Sequence, residues 1–213
     1  MTSTTSRELK ALGSTLSQHR LFVSGLVHEG AETIVLISPD EPGFWDHVTA
    51  QPEFADGAPD PLDRWSERVI GALAPRFGAR ALYLFTGPPW QPFVSWALRS
   101  GQSFASPLHL MCHSRMGLWA SVRGALALPG LLALPTPAPE TCTNCPAPCT
   151  TACPVDALGP DGYDTETCRA HLDTPEGADC RTQGCLARRA CPVGESYGRL
   201  PSQSAWHMRQ FHP

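Results

Sequence analysis

Eight of the nine cysteines in this 213-residue chain fall in its last third: Cys142, Cys145, Cys149, Cys153, Cys168, Cys180, Cys185 and Cys191. The run CTNCPAPCTTACPV (142–155) holds four of them, the last followed at once by Pro154. In a reducing compartment, closely spaced thiols hold metal more often than they pair as disulfides. Eight thiolates are the ligand number of two [4Fe–4S] clusters, and three near-neighbour cysteines followed by a cysteine–proline pair is a pattern that wraps them. Short spacings let one loop present several sulfurs, and Pro154 then stops the loop so that Cys153 faces another site. The punctuation recurs: Ala152-Cys153-Pro154-Val155 is matched by Ala190-Cys191-Pro192-Val193, which suggests two related halves. In the usual two-cluster arrangement each half gives three ligands to one cluster and its cysteine–proline residue to the other. Applied here, Cys142, Cys145, Cys149 and Cys191 hold one cluster, and Cys153, Cys168, Cys180 and Cys185 the second. Two zinc sites would use the same number of thiols, but zinc ribbons present paired CxxC knuckles, and only Cys142/Cys145 has that spacing.

These cysteines need elements to position them, and the chain divides accordingly. LPGLLALPTPAPET (128–141) is broken by four prolines and a glycine and is expected to be an extended linker. Before it, LFVSGLV (21–27), TIVLISP (33–39) and ALYLF (81–85) have the branched and aromatic content of buried strands. DPLDRWSERVIGALAPRF (60–77) sets Leu62, Trp65, Val69, Ile70 and Leu73 at helical spacing. QPFVSWALR (91–99) is expected to be a short helix and GLWASVRGALAL (117–128) a strand. Residues 1–127 are therefore expected to form an α/β domain that docks a cofactor or a partner. Residues 142–213 have too few large apolar side chains for an ordinary core, so metal must staple them. A closing helix is expected over PSQSAWHMRQFH (201–212), with Ser202 or Ser204 as its cap.

The formal net charge is −4, with Lys10 the one lysine and no block of like charges. That balance argues against an electrostatic grip on nucleic acid or on an anionic membrane surface. The first 20 residues lack a basic start followed by an apolar run, and no later stretch approaches the roughly 20 apolar residues of a membrane span. A soluble, cytoplasmic protein with a redox partner protein is expected.

Two stretches resemble known families. CTNCPAPCTTACPVDAL, then YDTETCRAHL, then a cysteine-rich stretch ending in Cys191-Pro192 resembles the ferredoxin-type half of epoxyqueuosine reductase, a cobalamin-dependent iron–sulfur enzyme of tRNA modification. That likeness implies a small ferredoxin-like α+β domain. The spacings depart from the family, with three residues between Cys145 and Cys149 where the family has two. Earlier, SPLHLMCHSRMGLWASVRGALALP (106–129) is similar to the HPRxGxW…RG segment of cblC-type cobalamin-processing proteins, which implies a flavin-reductase-like α/β fold. With that likeness, His113, Arg115 and Trp119 become candidates for holding cobalamin or flavin, since a cation and an imidazole beside an aromatic can meet a phosphate or an amide. Otherwise the histidine and arginine satisfy local carbonyls or face solvent. No residue matches the catalytic aspartate of epoxyqueuosine reductase, and no acid–base pair is evident.

Cys112 lies in an apolar stretch and is expected to be core. Arg188 and Arg189, between two proposed ligands, either tune a cluster or are simply solvated. The expected function is electron transfer by two [4Fe–4S] clusters. The alternatives are a corrinoid- or flavin-linked reductase fed by those clusters, and a zinc-stapled interaction module.

Overall fold

In chain order the elements are α1 (Thr2–Ser17), β1 (Leu21–Glu29), β2 (Glu32–Pro39), α2 (Phe44–Thr49), α3 (Pro52–Ala55), α4 (Pro61–Leu73), β3 (Arg80–Leu82), α5 (Phe93–Arg99), β4 (Ser103–Ala105), β5 (Met111–His113), β6 (Gly124–Pro129), β7 (Leu158–Gly159), β8 (Gly162–Tyr163), α6 (Thr165–Leu172), α7 (Ala178–Gln183), α8 (Leu186–Arg189), α9 (Pro192–Glu195) and α10 (Pro201–Phe211). The computed structural model describes residues 2–159 and 162–213, with side chains from residue 7 onward. The result is a mixed α/β fold with a four-stranded antiparallel sheet in the order β1-β2-β6-β3. None of the described helices is long and apolar enough to cross a membrane.

The chain forms two compact units: Met1–Gln102 with Ser121–Ala138, and Ser103–Ala120 with Pro139–Pro213. The first is built on the sheet. TIVLISP lies in its middle as β2, paired on both sides and buried from Thr33 to Pro39, which is why the run is apolar without alternation. β1 carries an irregularity at Ser24, whose hydroxyl accepts a buried hydrogen bond from Ser38 at 2.7 Å. On α4, Leu62, Trp65, Val69, Ile70 and Leu73 are all buried, as their spacing predicts. Arg123, just ahead of β6, is part-buried, with its guanidinium paired to Asp63 and donating to Ser66 Oγ at 3.0 Å. α1, which no sequence signal had raised, seats Leu12 and Leu16 one turn apart in this core and packs on β1.

Five expectations change. Strand ALYLF shortens to β3, and GLWASVRGALAL becomes a strand only from Gly124. The proline-rich stretch is not a free linker. Its start completes β6, Thr33 Oγ1 donates to Gly130 O at 2.8 Å and accepts from Leu132 N at 2.9 Å, and Ala138 N donates to Gly101 O at 2.9 Å. A proline-rich stretch that cannot extend a ladder is still tied down by the carbonyls and hydroxyls beside it. The boundary also differs, because residues 103–120 belong with the cysteine-rich segment rather than with the sheet. Finally, α10 is preceded by Leu200 and begins at Pro201, so neither Ser202 nor Ser204 caps it, and Ser204 is buried inside the helix. Proline at the first helical position suits a helix start because its missing N–H has no partner to lose there.

The second unit has short elements and a small core. The β4–β5 ribbon and the turn after it bring Leu108, Cys112 and Leu118 into one buried cluster with Cys149, Leu158, Ala187 and Cys191. That shared apolar face explains the boundary: without it, residues 103–120 would expose three fully buried side chains. α10 packs on α7, and Phe211 near its end stacks with Tyr163, ring centres 6.0 Å apart.

Candidate metal centre

All nine cysteines lie in the second unit, and Cys112, Cys142, Cys145, Cys149 and Cys191 line a common hollow. Its empty volume, counted to the open mouth, is about 340 Å³. Its walls are otherwise largely apolar, with Leu118, Pro192 and Val193 among them. Cys142 lies in the turn that opens the cysteine run, with Cys145 N donating to its carbonyl at 3.3 Å. Cys149 sits in a single 3-10 turn, Pro148–Thr150, entered through Ala147 in a left-handed conformation. Cys191 precedes α9, where Pro192 starts the helix. Nearness is visible in the electrostatics of Cys149: burial pushes its thiol up, followed by the charges of Cys191, Cys145 and Cys142.

Cys153, Cys168 and Cys180 neighbour one another or Cys185, and Cys185 also packs against the buried cluster that holds Cys149 and Cys191. Cys168 rides on α6, a helix set by Asp164, whose carboxylate accepts from Thr167 N at 2.9 Å. Its thiol is raised first by burial and then by the neighbouring Cys185 and Cys153. Cys180 on α7 is raised by burial and by Cys185, which directly precedes α8. Tyr163 donates its hydroxyl to Cys168 Sγ at 3.3 Å, and Ala157 N donates to Cys153 Sγ at 3.3 Å. On the first group, Ala147 N donates to Cys145 Sγ at 3.4 Å. Backbone and hydroxyl donors aimed at sulfur favour the thiolate, which is the form that binds metal.

Cys191 is the most strongly perturbed of the proposed ligands. Its thiol is held well below the ordinary value, first by hydrogen-bond contact with Cys112 and then by the backbone N–H groups of Gly194, Leu118 and Val193, against the opposing effect of burial. Leu118 reaches it because Gly117 adopts a left-handed conformation, φ +56°, where a Cβ would stand 2.5 Å from Gly194 N and 2.9 Å from Cys191 Sγ. Among the described residues, no three His, Cys, Asp or Glu side chains converge closely enough to hold one metal ion. Cys142, Cys145, Cys149 and Cys191 stand round a space instead of meeting at a point.

The other candidates take structural positions. His113 is 4% exposed, and its Nδ1 accepts the backbone N–H groups of Arg115 at 3.0 Å and Met116 at 3.3 Å, holding the turn whose ends pair between His113 and Gly117. Arg115 is exposed. Trp119 packs on Gly194 and Gly184, where added Cβ atoms would lie 3.0 and 3.2 Å from its ring, and Arg199 covers it at 5.3 Å. All three lie in the cysteine-rich unit, not on the sheet. The arginines between the ligands are not simply solvated: Arg188 Nη1 donates to Leu118 O at 2.5 Å, and Arg189 pairs with Asp179. Sequence reasoning missed Tyr163 and the 112–118 segment as neighbours of the thiols. A glycine among large apolar residues, Met116-Gly117-Leu118-Trp119, was the available sign of close backbone approach.

Comparison with family models, with curated proteins and with solved structures gave no match for the chain.

Proposed function

We propose that this protein is an electron carrier in which the second unit holds two [4Fe–4S] clusters. The observation that supports this is that Cys142, Cys145, Cys149 and Cys191 line one hollow, while Cys168 neighbours Cys185 and Cys153 and Cys180 neighbours Cys185. Cys142, Cys145, Cys149 and Cys191 would hold one cluster and Cys153, Cys168, Cys180 and Cys185 the other. The donor set fits: thiolates with N–H and O–H groups on their sulfurs, in largely apolar surroundings, suit a cluster whose potential depends on hydrogen bonding and burial. A zinc ion asks four sulfurs to meet about 2.3 Å from one point. Sulfurs set round a hollow suit a larger, cuboidal group.

When bound, such a cluster supplies one-electron exchange. The chain's own part is to deliver thiolates, shield them with Leu118 and Val193, and fix their sulfurs with Leu118 N–H, Ala147 N–H, Ala157 N–H and the Tyr163 hydroxyl. A ferredoxin-like arrangement of the second unit and a redox partner protein belong to this proposal. The reductase alternative loses its suggested cofactor residues, because His113 and Trp119 are engaged in the packing of the cysteine-rich unit.

The test is iron, sulfide, zinc, cobalt and flavin analysis of anaerobically purified protein, with EPR before and after dithionite reduction. About eight iron and eight sulfide per chain with reduced-cluster signals is the expected result. Zinc without sulfide would refute it, and cobalt or flavin beside the iron would establish the reductase.

A further inference from the structure

Tyr163 and Cys168 meet because of where one helix cap puts them. β7 and β8 pair Leu158 with Tyr163, and Gly162 beside it takes φ +117°, a conformation that favours glycine. Asp164 follows as the N-cap of α6. Its carboxylate accepts from Thr167 N at 2.9 Å and from Thr167 Oγ1 at 2.7 Å, while its own N–H donates to Ala157 O at 2.8 Å. Tyr163 therefore stands just before the cap and Cys168 at the fourth helical position, the two places whose side chains a capped helix start brings together. That contact is ordinarily apolar packing. Here it joins a phenol to a sulfur, with the Tyr163 hydroxyl donating to Cys168 Sγ at 3.3 Å. The ring is also held by Phe211, stacked on it with centres 6.0 Å and planes 19° apart. Arg169 in turn fixes Phe211, its guanidinium 5.0 Å from the ring and its Nη2 donating to Phe211 O at 3.3 Å.

We propose that the Tyr163 hydroxyl, by donating to the Cys168 sulfur, raises the reduction potential of the cluster held by Cys153, Cys168, Cys180 and Cys185. The proposal rests on the two-cluster function above. A thiolate that holds iron has no proton, so the phenol is the donor in this pair. The physical cause is differential: reduction adds negative charge to a cluster and its ligand sulfurs, so a hydrogen bond ending on one of those sulfurs is stronger in the reduced state and favours it. Hairpin, cap and Phe211 hold the donor in place beforehand, so the bond needs no reordering when an electron arrives. Packing alone does not ask for a hydroxyl, since a phenylalanine at this position would stack on Phe211 as well. Cys145 and Cys153 take their donors from the backbone N–H groups of Ala147 and Ala157, which are present whatever side chains those residues carry. Tyr163 supplies its donor from a side chain, so residue type at one position sets the electron affinity of this site.

The experiment is an EPR-monitored redox titration of the full-length protein, wild type against Tyr163→Phe, with iron and sulfide measured on each sample. Tyr163→Phe keeps the ring and its stack on Phe211 and removes only the hydroxyl, so both proteins should carry the same iron and sulfide. One of the two clusters should move to lower potential, by about tenfold in its reduced-to-oxidised ratio, which is about 59 mV for one electron. The other should hold its potential, a selectivity that a general loosening of the fold would not produce. Unchanged or higher potentials in Tyr163→Phe at full iron content would overturn the proposal and leave the two-cluster function standing. Equal movement of both potentials would overturn it by making the effect global. Loss of half the iron would overturn it by giving the hydroxyl a part in retaining the cluster instead of setting its potential. A wild-type protein without iron and sulfide would overturn both the proposal and the function it rests on.

Discussion

Replacing Gly117 by alanine tests whether the 103–120 segment is part of the cysteine site. Gly117 has φ +56°, and the new Cβ would stand 2.5 Å from Gly194 N, 2.8 Å from Gly194 Cα and 2.9 Å from Cys191 Sγ. The left-handed conformation alone costs an alanine about 1–2 kcal/mol. Crowding adds to this. Ordinary contact begins near 3.4 Å, and two of the three obstructing atoms are backbone, so no side chain can swing aside. Overpacking of this kind costs about 1–3 kcal/mol, and the sum is about 2–5 kcal/mol, concentrated on the start of α9 and on Cys191. Gly130 is the control, with φ +88° and nothing within 4 Å of its Cβ position, so Gly130→Ala carries backbone strain without the clash. Denaturant unfolding and iron per chain should be measured on both variants. Gly117→Ala should lower the unfolding free energy more than Gly130→Ala does, and should lose iron that the control retains. Equal stability and equal iron in the two would refute the close approach of the turn to Cys191.

Other outcomes follow from the same geometry. Cys191→Ala and Cys153→Ala should each remove about half of the iron and sulfide; full retention in either variant would break the ligand sets. Asp63→Ala leaves the part-buried Arg123 guanidinium without its carboxylate and should cost about 1–3 kcal/mol in unfolding free energy; a loss below about 1 kcal/mol would show that Ser66 suffices as a partner. Glu53 is held below its ordinary value of 4.5, first by its hydrogen bonds with Arg68, against the effect of burial. Its folded-state value is depressed, so the unfolded chain takes up the proton first as pH falls. The contribution is complete above pH 4.5 and is lost as pH falls through the folded value. Glu53→Gln should therefore be less stable than wild type near neutrality, with the gap closing in acid, and a gap independent of pH would refute the pairing.

What the sequence by itself determined was what local pattern can encode. The count and order of thiols, the paired cysteine–proline punctuation and the buried face of α4 depend on residue type and short spacing, and each is visible without a fold. Cys191 lines one hollow with Cys142, Cys145 and Cys149, and Cys112, which the punctuation does not point to, lines it as well. The tertiary structure alone decided where residues 103–120 belong. Their tie to the cysteines runs through Leu108, Cys112 and Leu118 packing on Cys149, Leu158 and Cys191, contacts between side chains far apart in sequence. Burial of that kind leaves no periodic signal, and a three-residue strand such as β5 is too short to declare its face. The same holds for His113 and Trp119, whose types suggested a ligand while their neighbours make one the clasp of a turn and the other a floor beneath Gly194 and Gly184. The proline-rich strap shows the converse. Its composition was read as an extended linker, and the hydroxyl of Thr33 and the carbonyl of Gly101 hold it at both ends. Hydrogen-bond partners supplied from distant strands belong to the fold and cannot be read from the strap's own residues.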